Sequence, residues 1–92
     1  MSMELNLVRT RFETLSEEGD VEFVSYGFRL YDDLDCTYGN TIDSLDKLLA
    51  MSVDELVDFA RSSSPTASAM LNSVGDADGV RFYVDGDIYS DR

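Results

Sequence analysis

Histidine is absent from the 92-residue chain. Its absence removes the commonest general base at neutral pH, the commonest transition-metal ligand and every Ser-His or Cys-His nucleophile arrangement. Cysteine occurs once, at Cys36, so no internal disulfide can form, and Asp32, Asp33 and Asp35 lie just before it. That setting is the opposite of the electropositive one that activates a catalytic thiol. Lysine also occurs once, at Lys47, and neither GxGxxG nor GxxxxGK[ST] occurs, so nothing marks a phosphate cradle. With no basic stripe along the chain, direct binding to nucleic acid or to an anionic membrane is disfavoured. There is no run of ~18 apolar residues and no cleavable apolar start, which predicts a soluble protein of the cytoplasm. These absences together predict a non-enzymatic protein.

What is present in excess is acid. Nineteen Asp and Glu stand against seven Lys and Arg, a formal charge of -12. The acids are distributed from Glu4 to Asp91, most of them in clusters from Glu17 onward, rather than gathered in a tail. A surface this acidic either serves solubility in a salty milieu or is the working face for a basic partner. The apolar fraction of 43%, with five Phe and five Tyr, is too high for a disordered acidic segment and predicts one folded domain over residues 1–92. Two fragments, Asp76-Ala77-Asp78-Gly79 and Asp85-Gly86-Asp87, have the flavour of calcium loops. Neither is complete, and the intervening strand would hold them about 17 Å apart, so no metal or other cofactor is predicted.

Residues 5–15 fit two patterns. Leu5, Val8, Phe12 and Leu15 suit a helical face, and Val8, Thr10, Phe12 and Thr14 suit one face of a strand; the β-formers Thr10, Phe12 and Thr14 favour the strand. From Val21 to Tyr31 the alternation places Val24, Tyr26, Phe28 and Leu30 on one face. The intervening Ser16-Glu17-Glu18-Gly19-Asp20 is turn chemistry, which predicts an antiparallel hairpin. Asp32 to Asn40 reads as a polar loop.

Three short helices are predicted next. Asn40 or Thr41 caps the first, with Ile42, Leu45, Leu48 and Leu49 inward and Asp43 and Lys47 outward as an ion pair. Ser52-Val53-Asp54-Glu55 is a capping box opening the second, with Val53, Leu56, Val57 and Ala60 inward. Ser64-Pro65 opens the third, which Gly75 ends. Val80 to Val84, the Asp85-Gly86 pair and Asp87-Ile88-Tyr89 then read as a hairpin with a type I′ turn. The predicted fold is α+β, in the order ββαααββ, a four-stranded antiparallel sheet with the helices on one face.

On that fold the candidate binding residues are acids. Asp54 and Asp58 recur about every 6 Å along a helix, with Glu55 beside them and Asp43 and Asp46 repeating the spacing less closely. Asp32, Asp33 and Asp35 form a mobile second patch. Duplex DNA presents one charge per ~1.7 Å of axis to the Lys and Arg that grip it, and rows of carboxylates can meet the same cations. In size, charge, single-domain α+β pattern and lack of catalytic residues, the whole chain resembles the small acidic inhibitors made by phages and mobile elements, including anti-CRISPR proteins and other DNA mimics. The resemblance is one of profile, without a shared motif. It implies an inhibitor that binds a basic nucleic-acid-handling protein, such as a CRISPR-Cas effector, and blocks the groove meant for DNA or RNA in the host cytoplasm. The alternative is an acidic antitoxin or immunity protein that covers the active site of a basic toxin.

Overall fold

A computed structural model describes residues 4–74 and 79–89, the side chain of Tyr89 excepted. Strands β1 (Leu5–Leu15) and β2 (Val21–Tyr31) form the expected antiparallel hairpin. The turn between them closes through Ser16 N–H to the Asp20 carbonyl at 2.8 Å and Gly19 N–H to the Ser16 carbonyl at 3.0 Å. Gly19 has φ of 90°, the conformation that glycine adopts without a Cβ clash. The Ser16 hydroxyl accepts from the Asp20 N–H at 3.1 Å, so every polar residue of the predicted turn that bonds does so locally.

The stretch expected to be a loop contains a third strand, β3 (Cys36–Ile42), antiparallel to β2. Only a four-residue turn, Asp32 to Asp35, separates the two strands, and it is hydrogen-bonded rather than open. Asp32 Oδ1 accepts from the backbone N–H of Leu34 and of Asp35, both at 2.7 Å, and Asp32 N–H donates to the Asp35 carbonyl at 3.0 Å. Strand β3 escapes the apolar pattern because it is an edge strand with little to bury. Its inward positions are Thr37, whose hydroxyl lies 3.4 Å from that of Ser64, Gly39, where an added Cβ would strike the buried Phe28 ring, and, past a bulge, Ile42, which is opposite Tyr26 and packs on the core. Asn40 and Thr41 therefore lie in a strand and cap nothing.

Helix α1 (Leu45–Ala50) is capped instead by Ser44, whose hydroxyl accepts from the Lys47 N–H at 3.4 Å. Asp43 precedes the cap, so it does not share a helix with Lys47 as expected. Helix α2 (Val53–Ser63) opens on the predicted capping box: Glu55 N–H reaches the Ser52 hydroxyl at 3.2 Å, and Ser52 N–H reaches the Glu55 carboxylate at 3.1 Å. One residue, Ser64, divides α2 from α3 (Pro65–Val74). A residue before proline is driven out of the helical region, and Ser64 is extended at φ −153°, ψ 126°. Its hydroxyl then caps α3 by accepting from the Ala67 N–H at 3.3 Å. The predicted stop at Gly75 and the Asp76–Asp78 fragment lie outside the described residues.

The C-terminal hairpin does not form. Strand β4 (Val80–Val84) pairs in parallel with β1, from Leu5 opposite Val80 to Arg9 opposite Val84. A 3-10 helix (Gly86–Tyr89) follows it. A type I′ turn requires positive φ at both central residues, yet Gly19 is the only described residue with that conformation. The Asp85 carboxylate accepts from the Asp87 N–H at 3.1 Å, and its carbonyl accepts from the Ile88 N–H at 3.1 Å. This tight turn sends Ile88 into the core, where it is fully buried. Burying a side chain of that size is worth ~1.5–3 kcal/mol, which a solvent-exposed return strand would forgo.

The described residues thus form an α+β fold in the order βββαααβ, with a mixed sheet of strand order β3-β2-β1-β4. The helices cover one face. Leu5 and Leu7 of β1 and Tyr26, Phe28 and Leu30 of β2 point towards them and pack with Leu48, Leu56, Ala60, Ala67, Met70 and Leu71. Val8, Thr10, Phe12 and Thr14 do share a face, as expected, but their register opposite Arg29, Gly27, Ser25 and Phe23 places them on the other side of the sheet. The pairing with β4 ends at Arg9 and that with β3 at Tyr26, opposite Arg11, so residues 12–25 project as a two-stranded arm, in a molecule 45 Å long and 27 Å wide.

Candidate functional site

The sheet face turned away from the helices determines what the surface offers. Alternation along the strands assigns to it Asn6, Val8, Thr10, Phe12 and Thr14 of β1, Phe23, Ser25, Arg29 and Tyr31 of β2, Cys36 and Tyr38 of β3, and Arg81 and Tyr83 of β4. No strand position on this open face is Asp or Glu. Phe23 is 57% exposed, Tyr38 56% and Tyr83 45%.

Several of these side chains hold one another. The rings of Phe12 and Tyr38 meet edge to face with centroids 5.8 Å apart, on either side of Gly27. The Arg29 guanidinium lies over the Tyr31 ring at 5.2 Å, a cation–π contact. A hydrogen bond with Cys36, together with the charge that thiol can carry, holds the Tyr38 phenol above its usual range. At the end of the sheet where β2 turns into β3, the face opens into a groove of about 470 Å³. Arg29, Tyr31 and Tyr38 form its floor, and the Asp32–Asp35 turn forms its wall. Leu34 stands on that turn with 81% of its surface exposed.

The predicted acids fall into three settings. Asp33 and Asp35 flank Leu34 and are exposed. Asp32 is turned inward, with Oδ1 satisfied by the two backbone N–H groups of its own turn. Asp54 and Asp58 are exposed one turn apart on α2, as predicted. Glu55 is exposed beside them but serves the capping box, and its hydrogen bonds to the Ser52 backbone and hydroxyl hold its carboxyl below the usual range. Asp43 and Asp46 are exposed near the start of α1. The fold therefore separates the candidates into a turn on the open-face side and a row on the helical layer.

No protein-family model, curated protein or solved structure matches the chain. What the site can do follows from its own chemistry. Among the described residues, no three His, Cys, Asp or Glu converge to hold a metal ion, and no helix is long and apolar enough to cross a membrane. Cys36 is exposed on the open face beside Tyr38, with Asp35 preceding it. The arrangement supplies aromatic area, a stacked guanidinium and exposed carboxylates, which are the elements of macromolecular contact.

Sequence reasoning missed the open face and the arm. Exposed Glu17, Glu18 and Asp20 at the arm tip, with Glu22 on its second strand, form a further acidic end that composition alone could not separate from the rest. The signal was present in the alternation of β1 and β2: the residues off the apolar face, Phe12, Phe23, Arg29 and Tyr31, are aromatic or basic rather than acidic.

Proposed function

We propose that the protein is a non-enzymatic inhibitor that binds a basic nucleic-acid-handling protein, such as a CRISPR-Cas effector, and keeps DNA or RNA from its groove. The observation that carries this reading is the segregation of charge. A coat that serves only hydration spreads acids over every solvent face, whereas here the helical layer and the turns carry them and the open sheet face carries none in its strands. Four of the seven cations, by contrast, are engaged within the chain. Arg9 bonds to backbone carbonyls, Arg11 pairs with Glu13, Arg29 stacks on Tyr31 and Arg81 pairs with Glu4 at 2.7 Å. Exposed carboxylates, Asp33 and Asp35 among them, remain to meet Lys and Arg that would otherwise hold phosphates.

The test is a pull-down from the native host at low and at high salt, read by mass spectrometry, followed by a DNA-displacement assay on the purified protein recovered. The expected result is a basic nucleic-acid-binding protein retained only at low salt and stripped of labelled duplex as this protein is added. Recovery of no basic protein, or a recovered one that binds DNA unchanged at saturation, refutes the reading.

A further inference from the structure

The acids at the two ends of the open face enclose an aromatic centre. At one end stand Asp33 and Asp35 around the protruding Leu34, and at the other stand Glu17, Glu18 and Asp20 on the arm tip. From Phe23 to Tyr31 the face runs eight residues along β2, about 26 Å at ~3.3 Å per residue. An interface that binds tightly has this layout, with large rigid side chains at its centre and charge at its rim. The centre here is also prearranged. Tyr38 packs edge to face on Phe12 and Tyr31 lies under Arg29, so part of their rotamer freedom is already spent before binding.

We propose that this open sheet face, rather than the outer face of α2, is what a basic protein partner covers, with Leu34 and Tyr38 as apolar anchors and the acidic turns at both ends meeting flanking Lys and Arg. The inference rests on the reading of a basic partner and specifies where that partner sits. The outer face of α2 offers Asp54, Glu55 and Asp58 with no exposed aromatic, and Val53 at its first turn is its one exposed large apolar side chain. Charge selects the occupant of the sheet face. A second copy laid face to face would set acidic turn against acidic turn whether the strands ran parallel or antiparallel. Nucleic acid would meet the same turns with its own phosphates. A protein surface with an apolar centre and basic flanks meets like charge only at Arg29, which is stacked on Tyr31, and at Arg81, which is paired with Glu4.

The probe is a random 16-residue peptide library displayed on phage and selected against the intact protein, and Cys36 supplies the footprint. The expected peptides carry an aromatic or aliphatic centre with Lys or Arg on both sides, and a synthetic copy shields Cys36 from iodoacetamide. Leu34→Ser together with Tyr38→Ser should weaken that peptide by about thirty-fold or more, the range of paired interface anchors. Asp54→Lys with Asp58→Lys should change it by less than ~3-fold, as for a distant charge pair. Leu34→Ser alone, on an exposed turn, keeps the test valid if the double variant misfolds. Basic peptides that leave Cys36 reactive and are lost on the α2 reversal overturn the inference while sparing the basic-partner reading. Enriched peptides without basic residues overturn that reading itself. Enrichment of no peptide, shielding of Cys36 by a single-stranded oligouridylate, or a dimer that Tyr38→Ser dissolves would each overturn the inference too.

Discussion

Arg9 is a charged residue on the helix-facing side of β1, and its removal should unfasten α1 from the sheet. Its Nε donates to the Leu48 carbonyl at 3.2 Å and its terminal nitrogen to the Met51 carbonyl at 2.6 Å, so one guanidinium satisfies two carbonyls at the C-terminal end of α1. A helix of six residues has almost no stability of its own, which makes the tether important. Hydrogen bonds from a charged donor contribute ~1.5–3 kcal/mol each, an upper sum of about 3–6 kcal/mol. Two observations reduce that sum. Leu48's carbonyl keeps a second donor, the Met51 N–H at 3.3 Å, and the site is only partly buried, so water replaces some of what is lost. Arg9→Met should then destabilise by roughly 2–3 kcal/mol, a large share of the ~5–14 kcal/mol that a domain of this size holds. With m near ~1 kcal/mol/M, the urea midpoint should fall by about 2–3 M. Far-UV circular dichroism follows the transition, and Arg9→Lys, which keeps the charge without the two-pronged geometry, should recover about half of the loss. A loss below ~0.5 kcal/mol would show that the buried Leu48 side chain anchors α1 without the arginine.

Gly27→Ala should cost about 3 kcal/mol, because the new Cβ would run into the Gly39 carbonyl oxygen and lie 2.7 Å from the Asn40 Cα, where only backbone can move; thermal melting of Gly27→Ala beside Ser25→Ala checks it, and equal melting temperatures would refute it. The capping box gives a pH dependence. Glu55's folded carboxyl lies below its unfolded value, so its contribution is present above the unfolded pKa and disappears as pH falls through the folded one; Glu55→Gln should narrow the stability difference between neutral and acid pH, and a variant that tracks the parent over that range would refute it.

Local chemistry with a single satisfactory geometry was legible in the chain. The Ser52–Glu55 box, the Ser64-Pro65 junction and the Gly19 turn each bond within a few residues, and each forms as read. Decisions made by distant residues were not legible. Asp85-Gly86 is sound hairpin chemistry in isolation, but the vacant edge of β1 accepts Val80–Val84 in parallel and the core accepts Ile88. Strand β3 depends on Gly39 lying against Phe28, eleven positions earlier, and on Thr37 meeting Ser64. The mixed sheet follows from those two long-range pairings. For the candidate site, the residue types were legible, and their assignment to faces required the register.

The fold also divides the acids by what they do locally, and that division bears on function more directly than the total of -12. Asp32 closes the β2–β3 turn, Glu55 completes a cap, Asp85 organises the C-terminal 3-10 helix, and Glu4 and Glu13 neutralise Arg81 and Arg11. Local structure accounts for these five, including two of the eight residues expected to bind a partner. Asp33, Asp35, Asp43, Asp54 and Asp58 accept no hydrogen bond and form no ion pair through their side chains among the described residues. A carboxylate without a local partner adds repulsion to an already acidic surface, screened only beyond ~8 Å in physiological salt. Asp33 and Asp35 add it beside an exposed leucine and an aromatic groove, where neutral residues would fold as well and repel less. Stability does not explain acids in that position, whereas the proposed basic surface seated on the sheet would.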